Sequence, residues 1–119
     1  MFLSGAKDNQ IRLWLYRPEQ DFQKKLDCLA VFQGHNENIS GVCFAPKKQQ
    51  FFASVSQDNT LKVWKIPSIE ETCQTITSAE MTIMAHQKYI NAVRISPNDK
   101  LIATSSQDKT IKIWESKSL

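Results

Sequence analysis

The chain is written in short apolar runs separated by polar turn residues, and the runs are rich in β-branched and aromatic side chains. Runs of this kind predict strands, and no apolar stripe of helical period is sustained. Residues 39–45 (ISGVCFA), 51–56 (FFASVS), 61–66 (LKVWKI) and 80–85 (EMTIMA) read as four successive antiparallel strands. The pattern resumes at 90–96, 101–106 and 111–116, without a fourth strand, and an earlier set occupies 1–6, 11–16 and 26–33, without a first. Pro46 and Pro97 fall at the bends between first and second strands, where a missing N–H does no harm. The expected fold class is all-β.

A fixed period runs beneath this alternation. The stretch AKDNQIRLW (6–14) returns as SQDNTLKVW (56–64) and SQDKTIKIW (106–114), so Asp8, Asp58 and Asp108 form one series and Trp14, Trp64 and Trp114 another, each stepping by 50 residues. A period of this size marks a repeat architecture. It divides the chain into an incomplete unit at 1–33 (second to fourth strands), a complete unit at 34–85 and an incomplete unit at 86–119 (first to third strands). Outer units of that kind present raw strand edges and apolar faces. The chain is therefore expected to be part of a larger ring, completed by further chain, by a partner or by copies of itself. Two polar inserts, 17–25 and 67–78, interrupt the regularity. Ser68 and Glu71 have the spacing of a capping box, which allows one helical turn, but no apolar face follows and a surface loop is the expectation.

Composition narrows the function classes. The 119 residues carry a net charge of +3, too small and too scattered to argue for a nucleic-acid stripe, although it permits RNA contact. No run approaches the roughly 20 apolar residues of a membrane helix, and the N-terminus lacks a secretory pattern, so a soluble intracellular protein with no membrane partner is expected. Cys28, Cys43 and Cys73 are odd in number and far apart, which suggests neither a disulfide framework nor a zinc site. Cys28 and Cys43 lie in apolar runs and read as core fillers, while Cys73 lies in a polar stretch and reads as exposed. No cofactor is implied.

The candidate chemistry is the set His35, Ser54 and Asp58, echoed by His86, Thr104 and Asp108 and in part by Ser4 and Asp8. Hydroxyl, imidazole and carboxylate are the ingredients of nucleophilic catalysis. An enzyme needs one such set, however, and here it recurs with a Trp each time and with no nucleophile elbow. An indole N–H donates, a hydroxyl accepts and donates, and a neutral imidazole passes the chain to a carboxylate. A buried relay from Trp to Ser or Thr to His to Asp would thus satisfy every polar group while tying strands together. His35 and His86 occupy equivalent places in different units, so they are not expected to share a metal. Lys47, Lys48 and Lys100, in bends between first and second strands, are candidates for partner or RNA contact, with solvated surface lysines as the plainer reading. Arg12, Lys62 and Lys112 recur at one place on each third strand, where their stems are expected to cover apolar surface.

Gly34–His35, the strands that follow and the closing DNTLKVW together resemble the WD-repeat family. The resemblance covers nearly the whole chain. It departs from the family's pattern at Leu15, Lys65 and Glu115, which stand where an Asp follows the Trp, and at Ala85, which stands where a Gly precedes the second His. The resemblance implies a partial β-propeller of four-stranded antiparallel blades, about two and a half of them. It implies a structural relay of Ser4, Asp8 and Trp14; His35, Ser54, Asp58 and Trp64; and His86, Thr104, Asp108 and Trp114. It implies scaffolding rather than catalysis. The stretches 40–67 and 90–114 are similar to the branch of the family in the small-subunit processome. That implies a nucleolar scaffold in ribosome biogenesis and rRNA processing, among other proteins of a multi-subunit assembly and the RNA of a small nucleolar ribonucleoprotein. An adaptor of the same family in another assembly (ubiquitin ligase, chromatin or signalling) and a direct RNA-binding module stay open as alternatives, as does a cytoplasmic location.

Overall fold

The computed structural model describes residues 1–16, 26–68 and 73–116. Among them eleven strands follow in order: β1 (Phe2–Gly5), β2 (Gln10–Tyr16), β3 (Leu26–Gln33), β4 (Ile39–Phe44), β5 (Phe51–Ser56), β6 (Thr60–Lys65), β7 (Gln74–Ile76), β8 (Met81–Met84), β9 (Ile90–Ile95), β10 (Leu101–Ser106) and β11 (Ile111–Glu115). They form three sheets, ordered β1-β2-β3-β7, β4-β5-β6-β8 and β9-β10-β11. The sheets are blades of a partial β-propeller, and β4 sits beside both β1 and β9, so the inner strands of successive blades are neighbours. Close approach at this inner seam needs a small residue: a Cβ on Gly5 would run into the Ile39 side chain.

Two apolar clusters lie between the blades and hold them face to face. Ile11, Leu13, Ala30 and Phe32 of the first blade meet Phe52 and Trp64 of the second. Ala53, Val55, Leu61 and Val63 of the second meet Ile90, Val93, Ile95 and Ile102 of the third. The period-2 alternation explains this: each central strand turns one set of side chains to the preceding blade and the other to the following one. The third blade's far face therefore repeats a packing surface that no described residue covers. Leu61 and Val63 are 0% and 1% exposed, whereas their counterparts fifty residues on, Ile111 and Ile113, are 74% and 62% exposed. In isolation the chain is expected to self-associate through this face, and Ile111→Lys with Ile113→Lys to return it to monomer in light scattering. A wild-type chain that stays monodisperse and monomeric would contradict this.

The insert at 67–78 departs from the expected loop. Its residues 74–76 form β7, which pairs in parallel with β3 (Ala30 with Gln74, Val31 with Thr75, Phe32 with Ile76), so the sheets are not purely antiparallel. A strand from the second unit thus occupies the outer edge of the first blade, and Ile76 packs on the cluster beneath it. The three-residue Gln-Thr-Ile run is too short to signal a strand by itself; the open edge of β3 supplies the partner. Glu71, the second member of the expected capping box, and the insert 17–25 lie outside the described residues. Cys28, read as a core filler, is half-buried at the blade's outer side.

The hairpin turns between second and third strands repeat as closely as the strands. Asn9, Asn59 and Lys109 all sit at positive φ (66°, 71° and 70°), each donating its N–H to the carbonyl three residues back. Asn tolerates the left-handed region because its short amide bonds locally, while Lys has no such compensation. Lys109→Asn should therefore raise stability by about 0.5–1 kcal/mol, read as a higher urea midpoint.

Candidate functional site

Each relay begins with a turn that fixes a carboxylate. In the second blade, Asp58 accepts the Thr60 N–H at 2.9 Å, the Asn36 N–H at 3.0 Å and the Thr60 hydroxyl at 2.5 Å. His35, in the loop between β3 and β4, approaches the same carboxylate with Nδ1 (3.0 Å) and the Ser54 hydroxyl of β5 with Nε2 (2.7 Å). Trp64 of β6 completes the line, donating its indole N–H to Ser54 Oγ at 2.9 Å. A proton on Nδ1 satisfies every member: the indole donates to the hydroxyl, the hydroxyl to Nε2 and Nδ1–H to the carboxylate.

The third blade repeats the arrangement with Thr for Ser. Trp114 donates to Thr104 Oγ1 at 3.2 Å, His86 Nε2 lies 2.8 Å from that hydroxyl, and His86 Nδ1 lies 2.9 Å from Asp108. Asp108 also accepts the Gln87 and Thr110 N–H groups and the Thr110 hydroxyl. In the first blade the series divides. Trp14 donates to Ser4 Oγ at 2.9 Å, but Asp8 turns to the Gln10 N–H and the Arg12 guanidinium, both at 3.1 Å, and among the described residues no imidazole joins the two halves.

Four residues that the sequence reading passed over take part. Thr60 and Thr110 clamp the carboxylates, and the Ser56 and Ser106 hydroxyls each accept the N–H of the following Asp while lying within reach of carbonyls in the preceding loop. Their signal was present in the shared S-Q-D-x-T of both units. The first unit has Ala6 and Gln10 at those places, which removes both hydroxyls.

Electrostatics favour ionised carboxylates. Burial pushes the Asp58 carboxyl up, but hydrogen bonds from His35, Thr60 and the backbone outweigh it and hold the group well below the usual carboxylate range. At Asp108 the Thr110 hydroxyl is the largest cause of a similar lowering, with His86 adding to it against desolvation. The folded state thus keeps these groups charged below the pH at which an unfolded Asp takes up its proton. Their stabilisation is complete above about pH 4 and is lost as the pH falls below that toward the lowered folded values. Asp58→Asn should flatten the fall in the urea midpoint between pH 5 and pH 2; an unchanged profile would contradict it.

This geometry gives the hydroxyls no route to a substrate. Ser54 and Thr104 are 0% and 1% exposed, and their oxygens are already engaged on both sides. The two histidines belong to separate networks, and among the described residues no group of three or more His, Cys, Asp or Glu could hold a metal ion. Nor is any described helix long and apolar enough to cross a membrane.

The candidate contact lysines lie elsewhere, at the opposite turn of the hairpins. Lys47, Lys48 and Lys100 are exposed. The Asp99 carboxylate accepts the N–H groups of Lys47 and Lys48, each at 2.9 Å, so two bends fifty residues apart share one end of the blades. The recurrent third-strand cations do not simply reach water: Lys62 donates to Thr82 Oγ1 at 3.0 Å, Lys112 to the Ala85 carbonyl at 2.8 Å, and Arg12 to Asp8.

Comparison with known proteins agrees with this architecture. The family model described as WD domain, G-beta repeat matches residues 26–65 and 77–115. Each match takes the strand that follows the third strand of one blade (β3 or β8) and three strands of the next, so the sequence repeat straddles the sheet boundary. The chain is 36% identical over 111 residues to Transducin beta-like protein 3 of Homo sapiens, covering 87% of this chain and 13% of the relative. It is 36% identical over 108 residues to the U3 small nucleolar RNA-associated protein 13 of Saccharomyces cerevisiae, covering 86% and 13%. The chain thus spans 13% of the length of these relatives. A chain in the structure of apo ctPRC2 in an autoinhibited state superposes with a TM-score of 0.80 at 21% identity, over 95% of this chain and 25% of that one.

Proposed function

Because the chain belongs to the WD domain, G-beta repeat family, we propose that it is a non-catalytic scaffold segment that holds proteins together in small-subunit ribosome biogenesis and rRNA processing, in the nucleolus. The observation that carries this reading is the 36% identity to the U3 small nucleolar RNA-associated protein 13 over 86% of the chain. The relays are its internal fastenings: they join each loop before a blade's first strand to the second and third strands, and leave the blade rims free for partners. The uncovered face of the third blade takes a further blade, supplied by longer chain, a partner or another copy.

Expression of the tagged protein in cells, followed by affinity capture, tests the reading. Recovery of the U3 small nucleolar RNA with assembly proteins, together with nucleolar localisation, is the expected result. Cytoplasmic localisation with neither recovered would overturn it in favour of an adaptor in another assembly. Direct RNA contact is favoured by one observation, the gathering of Lys47, Lys48 and Lys100 at one end. It requires affinity that falls steeply with salt and weakens when these lysines are neutralised.

A further inference from the structure

Two thiols meet where the second unit's insert docks on the first blade. Cys28 lies on β3, opposite Trp14 of β2 at the point where the register of that pair shifts. Cys73 immediately precedes β7, and its Sγ lies 3.3 Å from Cys28 Sγ. A disulfide bond is about 2.05 Å long, so the sulfurs need to close by little more than 1 Å. Cys73 is exposed and Cys28 half-buried, so one sulfur meets solution while the other waits beneath it. Cys43 offers an internal contrast, its Sγ resting 3.4 Å from the Phe44 carbonyl of its own strand.

We propose that Cys28 and Cys73 form an oxidisable pair, converted by a low-molecular-weight disulfide of the glutathione class into a cross-link that fastens β7 to the first blade. The Cys73 thiol loses its proton to solvent and its sulfur attacks one sulfur of glutathione disulfide. That S–S bond breaks, a glutathione thiolate leaves, and a mixed disulfide remains on Cys73. Cys28 gives its proton to solvent, and its thiolate then attacks Cys73 Sγ and expels the second glutathione thiolate; the two released protons are taken up by the two glutathione thiolates. Two protein thiols are oxidised and one glutathione disulfide is reduced to two thiols, with both protons accounted for. Burial, and then the neighbouring Cys73 sulfur, push the Cys28 thiol up, which makes it a poor first nucleophile toward free oxidant, while its 3.3 Å distance from Cys73 Sγ is what carries the second, intramolecular step.

The position gives the cross-link a consequence. A three-residue parallel strand is held by few bonds and opens easily, exposing the outer edge of β3. A bridge at Cys73, the residue just before β7, would keep that edge covered, so oxidation would decide whether the edge is free to pair with another strand. This inference is independent of the proposed scaffold assignment.

The 119-residue chain, treated with glutathione disulfide and digested without reduction, tests it by mass spectrometry. The expected product is a Cys28–Cys73 linked peptide with Cys43 still alkylatable, together with roughly tenfold or slower deuterium exchange at Thr75 and Ile76. Cys28→Ser should stop at glutathione on Cys73. A wild-type chain that retains glutathione on Cys73, that links Cys43, or that cross-links between chains without the internal bridge would overturn the proposal.

Discussion

Trp64→Ala is expected to cost about 3–5 kcal/mol, enough to leave the isolated chain largely unfolded at room temperature. Trp64 is 1% exposed and joins three elements. Its ring lies edge-on to Phe32 of the first blade, with centroids 5.4 Å apart, and is stacked on Phe52 of β5 at 6.3 Å. Phe32 and Phe52 in turn meet edge to face at 4.8 Å. Truncation would therefore open a cavity between two blades and also remove the donor of the Ser54 hydrogen bond. The cavity is the larger part: the lost bond contributes about 1 kcal/mol, the vacated volume the remainder. Trp114→Ala is the comparison: Trp114 packs on the cluster between the second and third blades but is only half-buried, so its cost should be smaller by about half. Urea unfolding at one fixed protein concentration compares the two, since association through the third blade's open face would otherwise shift both midpoints. Equal costs would show that the fuller burial of Trp64 does not set its contribution.

How far the sequence foretold this depends on the range of the forces involved. The strands of the second blade were legible because alternation is local: β5 and β6 carry their own apolar and polar faces in FFASVS and LKVWKI. The relay was legible for a different reason, the 50-residue step, which set Asp58 beside Asp108 and Trp64 beside Trp114 before any contact was known. The strand β7 was not, since Gln74–Ile76 acquires strand character only from the edge of β3, more than forty residues earlier. Thr60 went unnoticed because a Thr at a strand start is ordinary, and only the turn brings its hydroxyl onto Asp58. The Asp99 bridge to the Lys47 and Lys48 amides depends on how neighbouring blades sit, which no pattern within one unit encodes. Likewise Cys28 and Cys73 looked unrelated, and came together only through the unforeseen strand.

Ser54→Ala is the second large effect, expected at about 2–3 kcal/mol, and it separates the two meanings of this hydroxyl. Its removal leaves the Trp64 indole N–H without an acceptor and His35 Nε2 without a donor, both in a region closed to water. Buried groups left unpaired in this way account for the whole cost, since the methyl that remains fills nearly the same space. Were the hydroxyl a nucleophile, the same substitution would abolish a reaction and leave stability untouched or improved. Ser54→Thr sharpens the contrast. Thr104 already holds the equivalent place in the third blade, 1% exposed and bonded to both His86 and Trp114, so a hydroxyl on a β-branched residue fits this site. The Thr variant should recover stability to within about 1 kcal/mol of wild type. Loss on Ala with recovery on Thr, measured by urea midpoint, would establish the hydroxyl as a link between indole and imidazole. An unchanged midpoint for Ser54→Ala would remove the relay from any account of what holds the blade together.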